Sequence, residues 1–155
     1  MTLTPAIPGL EATFDVTVRV GTVSDYGLTR AGHRRVIDIV GGQITGSLNA
    51  TILPGGADWQ LVRPDGAIDI DGRYSAKTPE GELIYIEVSG VRSGSPDVLE
   101  ALLRGEEVDP TQYYFRTTLR IETSAPGLAH LEHSLFVASC VREVDTVRYR
   151  AYRVT

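Results

Sequence analysis

Apolar and polar residues alternate along this chain with a period of two, in segment after segment. Between 13 and 20, Phe14, Val16, Val18 and Val20 are set against Thr13, Asp15, Thr17 and Arg19. Successive side chains of a strand leave opposite faces, so this spacing describes a half-buried strand, and no single helical face would gather the apolar set. The same alternation recurs at about 34–40, 43–53, 58–63 and 67–76, and further strands fit 82–89, 112–123, 131–141 and 146–154.

The intervals carry turn chemistry: Gly41-Gly42, Pro54-Gly55-Gly56, Pro64-Asp65-Gly66, Pro79-Glu80-Gly81 and Pro126-Gly127. Proline presets one turn position and glycine accepts positive φ at another. About eight or nine short strands joined in this way predict an all-β fold, a sandwich or barrel. We expect a single compact antiparallel β-barrel whose last strand closes onto an early one, after an N-terminal extension at 1–11.

One segment departs from the period of two. In SGSPDVLEALLRGEE, Ser95 can cap a helix, Pro96 suits its first turn, Asp97 and Glu100 favour its positive end, and Gly105 can end it. The prediction is one short helix near 96–104. With its following loop, roughly 95–111, it is longer than a hairpin needs. Two roles are open to it: a lid at one barrel mouth, or a packed surface helix.

The 155 residues suit one domain able to bury its own core, and 42% hydrophobic with 23% charged residues is an ordinary globular balance. With 15 basic and 20 acidic residues the net charge is -5, and no Lys/Arg run tracks a phosphate backbone, so nucleic acid is not an expected partner. No apolar run approaches the roughly 20 residues of a membrane helix, and MTLTPAIPGLEATF lacks the form of a secretory signal. A single cysteine, Cys140, forms no intrachain disulfide and no thiolate metal cage. The expected compartment is the cytoplasm.

Cofactor motifs do not emerge. No Gly-rich loop opens a helix, so neither the phosphate loop nor the dinucleotide fingerprint is present, and no Gly-x-Ser-x-Gly elbow occurs. The His130-x-x-His133 pair flanks Glu132, yet residues three apart on a strand face opposite ways. The expectation is no metal and no cofactor.

That leaves acids and bases on strands. Asp58 follows Gly-Gly-Ala at a strand entrance beside Trp59, the one tryptophan, and suggests a pocket edge, whereas Asp65 in Arg-Pro-Asp-Gly is explained by a type I turn. On the strand YYFRTTLRIET one face carries Tyr114, Arg116, Thr118, Arg120 and Glu122. Amphipathicity alone sends that face to solvent. A barrel holding a polar ligand could instead turn it inward, together with Tyr74 and Tyr85. Both readings stand at this level.

The blocks LPGGADWQLVRPDG, DGRY at 71–74, GELIYIEVSG at 81–90, YYFRTTLRIET at 113–123 and LEHSLFVAS at 131–139 occur in an order and spacing that resemble the domain of unknown function 3237 family, from about residue 12 to 154. The resemblance implies an antiparallel β-barrel similar to lipocalin-like and allene oxide cyclase-like barrels. It implies little about activity. Its motif positions map onto Gly55, Gly56, Asp58, Trp59, Asp65, Gly66, Tyr74, Tyr85, Arg116, Thr117, Glu122 and Thr123, which moves Arg116 and Glu122 towards a pocket by analogy. The chain departs from the pattern at Ala129-His130-Leu131-Glu132, where relatives commonly show an aromatic residue and an asparagine.

Two functions follow as expectations. One is a cofactor-independent acid–base enzyme of isomerase, cyclase or lyase/hydratase type, acting on a small, largely apolar, oxygenated or aromatic substrate. In it Asp58, Glu122, Arg116 and Tyr74 would be catalytic, and Trp59, Tyr85, Tyr114, Thr118 and His130 would contact the substrate. The other is a non-catalytic barrel carrying a small hydrophobic ligand. A homodimer is compatible with both.

Overall fold

The computed structural model describes residues 1–155. It contains nine strands: β1 (Leu10–Thr29), β2 (Gly32–Gly46), β3 (Ala50–Ile52), β4 (Gly56–Val62), β5 (Ile68–Lys77), β6 (Leu83–Gly94), β7 (Tyr113–Glu122), β8 (Phe136–Arg142) and β9 (Thr146–Val154). One α-helix, α1 (Pro96–Leu103), joins β6 to β7, and short 3₁₀ helices cover Pro110–Gln112 and Pro126–His133. Every strand pairing is antiparallel.

The sheet closes. Its order runs β1, β9, β8, β7, β6, β5, then a place shared end to end by β3 and β4, then β2, which pairs back onto β1. The fold is therefore the all-β barrel that the alternation predicts, and closure leaves no free sheet edge. β1 and β2 are longer than expected, and β1 takes in the end of the predicted extension, so that only residues 1–9 precede it.

Three turn and strand expectations are corrected. Gly41-Gly42 makes no turn: β2 runs straight through it, with Gly42 opposite Val18, and passes from β4 to β3 as partner. At φ +147, a Cβ on Gly42 would lie 2.1 Å from the Thr17 carbonyl oxygen, so glycine is needed where the strand bends against β1. The segment 43–53 is divided between β2 and β3 by a turn at 47–49. The strand expected at 131–141 starts only at Phe136, because Pro126 opens a 3₁₀ helix through His133. The turn at Pro64-Asp65-Gly66 forms as predicted, with the Asp65 carboxylate accepting from Ala67 N at 3.0 Å.

Helix α1 also forms where its caps predict. Ser95 Oγ accepts from Val98 N at 3.4 Å, and Gly105 beyond its end has φ +79. Its buried residues, Leu99 and Leu102, turn toward the barrel. Leu99 reaches Gly66 in the β4–β5 turn, while Leu102, Leu103 and Arg104 share a cavity with Val144 and Asp145 of the β8–β9 turn. The helix thus packs across one mouth of the barrel, over that cavity.

The interior divides into two halves. Away from α1, Phe14, Ile44, Ile52, Ile84, Ile121 and Phe136 interlock, with the Phe14 and Phe136 rings 5.8 Å apart, and Leu131 from the 3₁₀ helix packs against them. Toward α1 the filling is incomplete, and polar side chains enter.

Candidate functional site

Strand β4 presents Asp58 and Gln60 inward while Trp59 between them points out. The Asp58 carboxylate accepts two hydrogen bonds, from Gln60 Nε2 at 2.8 Å and from the backbone N–H of Asp71 on the neighbouring strand at 3.0 Å. Both bonds, and the charge of Arg92, favour the ionised form. Burial opposes them and prevails, so the Asp58 carboxyl titrates above the ordinary carboxylate value. Asp58 faces a cavity that leaves about 50 Å³ to the centre of a water molecule, and seven of its 13 lining residues carry hydrocarbon side chains, among them Val18, Ile39, Val88 and Phe115.

The other polar groups of this cavity are Tyr74, Tyr149, Thr117 and Cys140. The Tyr74 and Tyr149 hydroxyls are hydrogen-bonded to each other, and burial raises the pKa of both well above that of a free phenol. They are hydroxyl donors at every physiological pH. The Cys140 thiol is raised to about 11 by burial, with Thr117 Oγ1 3.6 Å away, so it is a packed thiol and no nucleophile.

Between this cavity and α1 lie three inward-facing arginines. Arg35 Nη1 donates to Gln60 Oε1 at 3.3 Å, extending a relay Arg35–Gln60–Asp58. Arg142 Nη1 donates to the carbonyls of Glu143, Val144 and Thr146. Arg92, at 2% exposure, sits over the Phe115 ring at 5.5 Å, and its Nε has no hydrogen-bond partner. Burial, then the nearby Arg142 charge, lowers the Arg92 pKa to about 10. Together with Leu102 and Val20 these arginines line a cavity of about 200 Å³ directly beneath the helix. Val20 also lines the Asp58 cavity.

The nine residues singled out from the sequence are not one cluster. Asp58 and Tyr74 share the cavity. Glu122, Arg116, Tyr114 and Thr118 lie on the outer, solvent face of β7, because the opposite parity of that strand is taken by Tyr113, Phe115, Thr117, Leu119 and Ile121. The Arg116 guanidinium lies over the Tyr114 ring at 5.3 Å and donates to the Phe115 carbonyl, which occupies it outside. Tyr85 is on the outer face of β6, its hydroxyl donating to Glu87 Oε1 at 2.9 Å. Trp59 is 38% exposed on the outer face of β4, so it is not the wall of the Asp58 pocket. His130 is exposed on the 3₁₀ helix. The orientation left open for the β7 face and Tyr85 is thus outward, so the catalytic or substrate-contacting roles expected of Glu122, Arg116, Tyr114, Thr118 and Tyr85 inside the barrel are corrected along with those of Trp59 and His130, and in each case the parity of the strand or the surface helix is the cause.

Five inward polar residues were not singled out, Arg35, Gln60, Arg92, Arg142 and Tyr149, and Thr117 was named only as a motif position. Their signal is in the sequence. Arg92 has the parity of Ile84, Ile86 and Val88; Arg142 has that of Phe136, Ala138 and Cys140; Arg35 has that of Ile37 and Ile39. A charged residue in register with an apolar face is the informative exception.

No group of three His, Cys, Asp or Glu side chains is gathered in a way that could hold a metal ion, and no helix is long and apolar enough to cross a membrane. Among known proteins, the chain is 41% identical over 141 residues to a UPF0311 protein of Bradyrhizobium diazoefficiens, covering 91% of this chain and 93% of that one. A crystal structure of a conserved protein of unknown function from Rhodopseudomonas palustris superposes with a TM-score of 0.91 at 38% identity, over 99% of this chain and all of that one. A crystal structure described as an enzyme from Penicillium herquei shares the fold, with a TM-score of 0.72 over the whole of both chains at 17% identity. The family model described as "Protein of unknown function (DUF3237)" matches residues 8–154, and the chain belongs to that family.

Proposed function

We propose that the protein is a cofactor-independent acid–base enzyme acting on a small, largely apolar, oxygenated substrate held inside the barrel beneath α1. The observation that carries this reading is Asp58: a carboxyl whose pKa is raised by burial, opening into an otherwise apolar cavity beside a pair of phenol hydroxyls. A carboxyl tuned upward exchanges a proton closer to neutrality than a free one. The apolar walls hold a carbon skeleton still, and Tyr74 or Tyr149 can donate to an oxygen on which negative charge grows as a carbon–hydrogen bond is broken or made. Proton removal next to a carbonyl, with return of the proton elsewhere, covers isomerisation, cyclisation and hydration or elimination alike. That the Penicillium herquei protein of this fold is described as an enzyme is compatible with the reading.

The test is deuterium incorporation from D₂O into a panel of small cyclic and aryl ketones and enones, followed by NMR. Wild type should accelerate exchange beside the carbonyl of at least one panel member, and Asp58→Asn should lower that rate by about 10²–10⁴-fold while the fold persists. Equal rates in the two proteins would remove the acid–base role. The largely hydrophobic lining also suits a second reading, a carrier of small apolar ligands, and saturable binding without any exchange would favour it.

A further inference from the structure

The acid–base reading leaves the guanidiniums above Asp58 without a task. Three arginines, Arg35, Arg92 and Arg142, face one space beneath α1, no carboxylate enters it from the barrel wall, and Asp58 in the adjoining cavity is near enough to act on Arg35 and Arg92 only through its charge. Asp145 reaches its rim from the exposed β8–β9 turn. Two of the three arginines have polar partners: Arg35 is bound to Gln60, and Arg142 ties down the carbonyls of the turn after β8. Arg92 has only the face of the Phe115 ring. It forms neither a hydrogen bond nor an ion pair, and its Nε is sealed from solvent without a partner. Elsewhere in the barrel, arginines are neutralised on the outer face, as Arg150 is by Asp15 and Arg148 by Glu143. Leaving a buried guanidinium unpaired is strongly unfavourable, and a fold retains that cost where an anion supplies the missing partner.

We propose that the space beneath α1 binds a carboxylate carried by the substrate, with the Arg92 guanidinium as its principal partner. The fork of an arginine presents two parallel N–H donors that match the two oxygens of one carboxylate. The surroundings choose among oxyanions. Leu102, Val20 and Ile37 line the same space, so an anion attached to a carbon skeleton is accommodated where a fully hydrated one is not. Since Val20 belongs to both cavities, the skeleton would lead from the carboxylate at Arg92 down past Asp58 to the Tyr74–Tyr149 pair. The substrate class becomes a small carboxylic acid with an oxygenated apolar body. This inference rests on the reading of Asp58 as the proton carrier only in assigning the carboxylate to a substrate; the binding site itself does not depend on it.

Isothermal titration of the intact protein with phenylacetate, phenylacetamide and inorganic phosphate separates the possibilities. The acid should bind at least tenfold more tightly than its amide, and phosphate should not displace it. Arg92→Met should abolish the preference for acid over amide and raise the melting temperature of the unliganded protein, since it removes an unpaired buried charge while keeping the volume. That rise also certifies the fold of the variant. Arg92→Lys, which keeps charge but not the fork, should retain only part of the preference. Asp58→Asn should keep it whole, so proton exchange unchanged in that variant, with acid binding intact, would count against the acid–base reading alone. Equal affinity for acid and amide, no binding of the acid, or an unchanged preference in Arg92→Met would overturn the carboxylate site, and displacement by phosphate would replace it with a general oxyanion site.

Discussion

The two halves of the barrel interior are built from the same strands and obey different rules. Strand β6 places Ile84 and Ile86 in the half away from α1, fully buried among isoleucines and phenylalanines, and one and three steps beyond Ile86 along the same face it places Val88 beside a cavity and Arg92 beneath the helix. Strand β8 runs likewise from Phe136 through Ala138 to Cys140 and Arg142. The packed half closes the barrel and carries its stability; the half under α1 accepts voids, a carboxyl out of its ordinary range and an unpaired guanidinium. Such features each destabilise a fold, and they gather at one end, under one helix, where the proposed site lies.

The sharpest break in the comparison comes from substitutions that affect one half only. Asp58→Asn should lower proton exchange on a responsive ketone by about 10²–10⁴-fold with little change in the far half, as read by NMR in D₂O and by the amide protection of β3 and the β6 residues around Ile84. In the packed half, Ile84→Ala should cost about 2–5 kcal/mol in denaturant unfolding, because its neighbours cannot close the gap. Ile70→Ala, at the edge of the existing cavity, should cost about 2 kcal/mol, the lower end of that range. Arg92→Met should act in the opposite direction and stabilise by about 1–4 kcal/mol. Smallest of all, Glu122→Gln and Arg116→Ala on the outer face of β7 should change stability by no more than about 0.5 kcal/mol and leave exchange rates as they are.

Asp58 also gives the comparison a pH axis. Its folded-state pKa is raised, so the folded protein holds that proton more tightly than the unfolded chain does. The stabilisation is complete below the unfolded value, near 3.8, and is lost as pH rises through the folded value. Melting curves of wild type and Asp58→Asn recorded from pH 4 upward should therefore diverge, with the variant gaining on wild type as pH rises. Parallel curves would place the carboxyl in an ordinary environment.

Much of this was legible in the sequence, and parity explains both what was read and what was misread. The alternation along 13–20, the Pro-Asp-Gly turn and the Ser95-Pro96 cap each act within a few residues, and each appears as expected. Gly41-Gly42 misled because a glycine pair is equally the mark of a turn and of a strand bent hard against its neighbour. On β7 the amphipathic face of Arg116 and Glu122 points to solvent as simple alternation requires, and the family motif drew those residues inward only by analogy. Trp59 was misplaced by treating a chain neighbour of Asp58 as a spatial one, although adjacent strand residues face opposite ways. Arg92 and Arg142 were legible as charges in register with isoleucine, valine and phenylalanine. That the three arginines meet under one helix, next to the cavity of Asp58, depends on barrel closure, which brings β2, β6 and β8 to a common axis, and no local pattern expresses that.

The most direct test of the central claim is a ¹³C NMR titration of the Asp58 side-chain carboxyl in the folded protein, assigned by its disappearance in Asp58→Asn. The expected midpoint lies above 3.8, the ordinary aspartate value, because burial outweighs the groups that favour the anion. A midpoint at or below 3.8 would mean that the hydrogen bonds from Gln60 and Asp71 and the charge of Arg92 outweigh burial, and Asp58 would then be a fixed anion and no proton carrier.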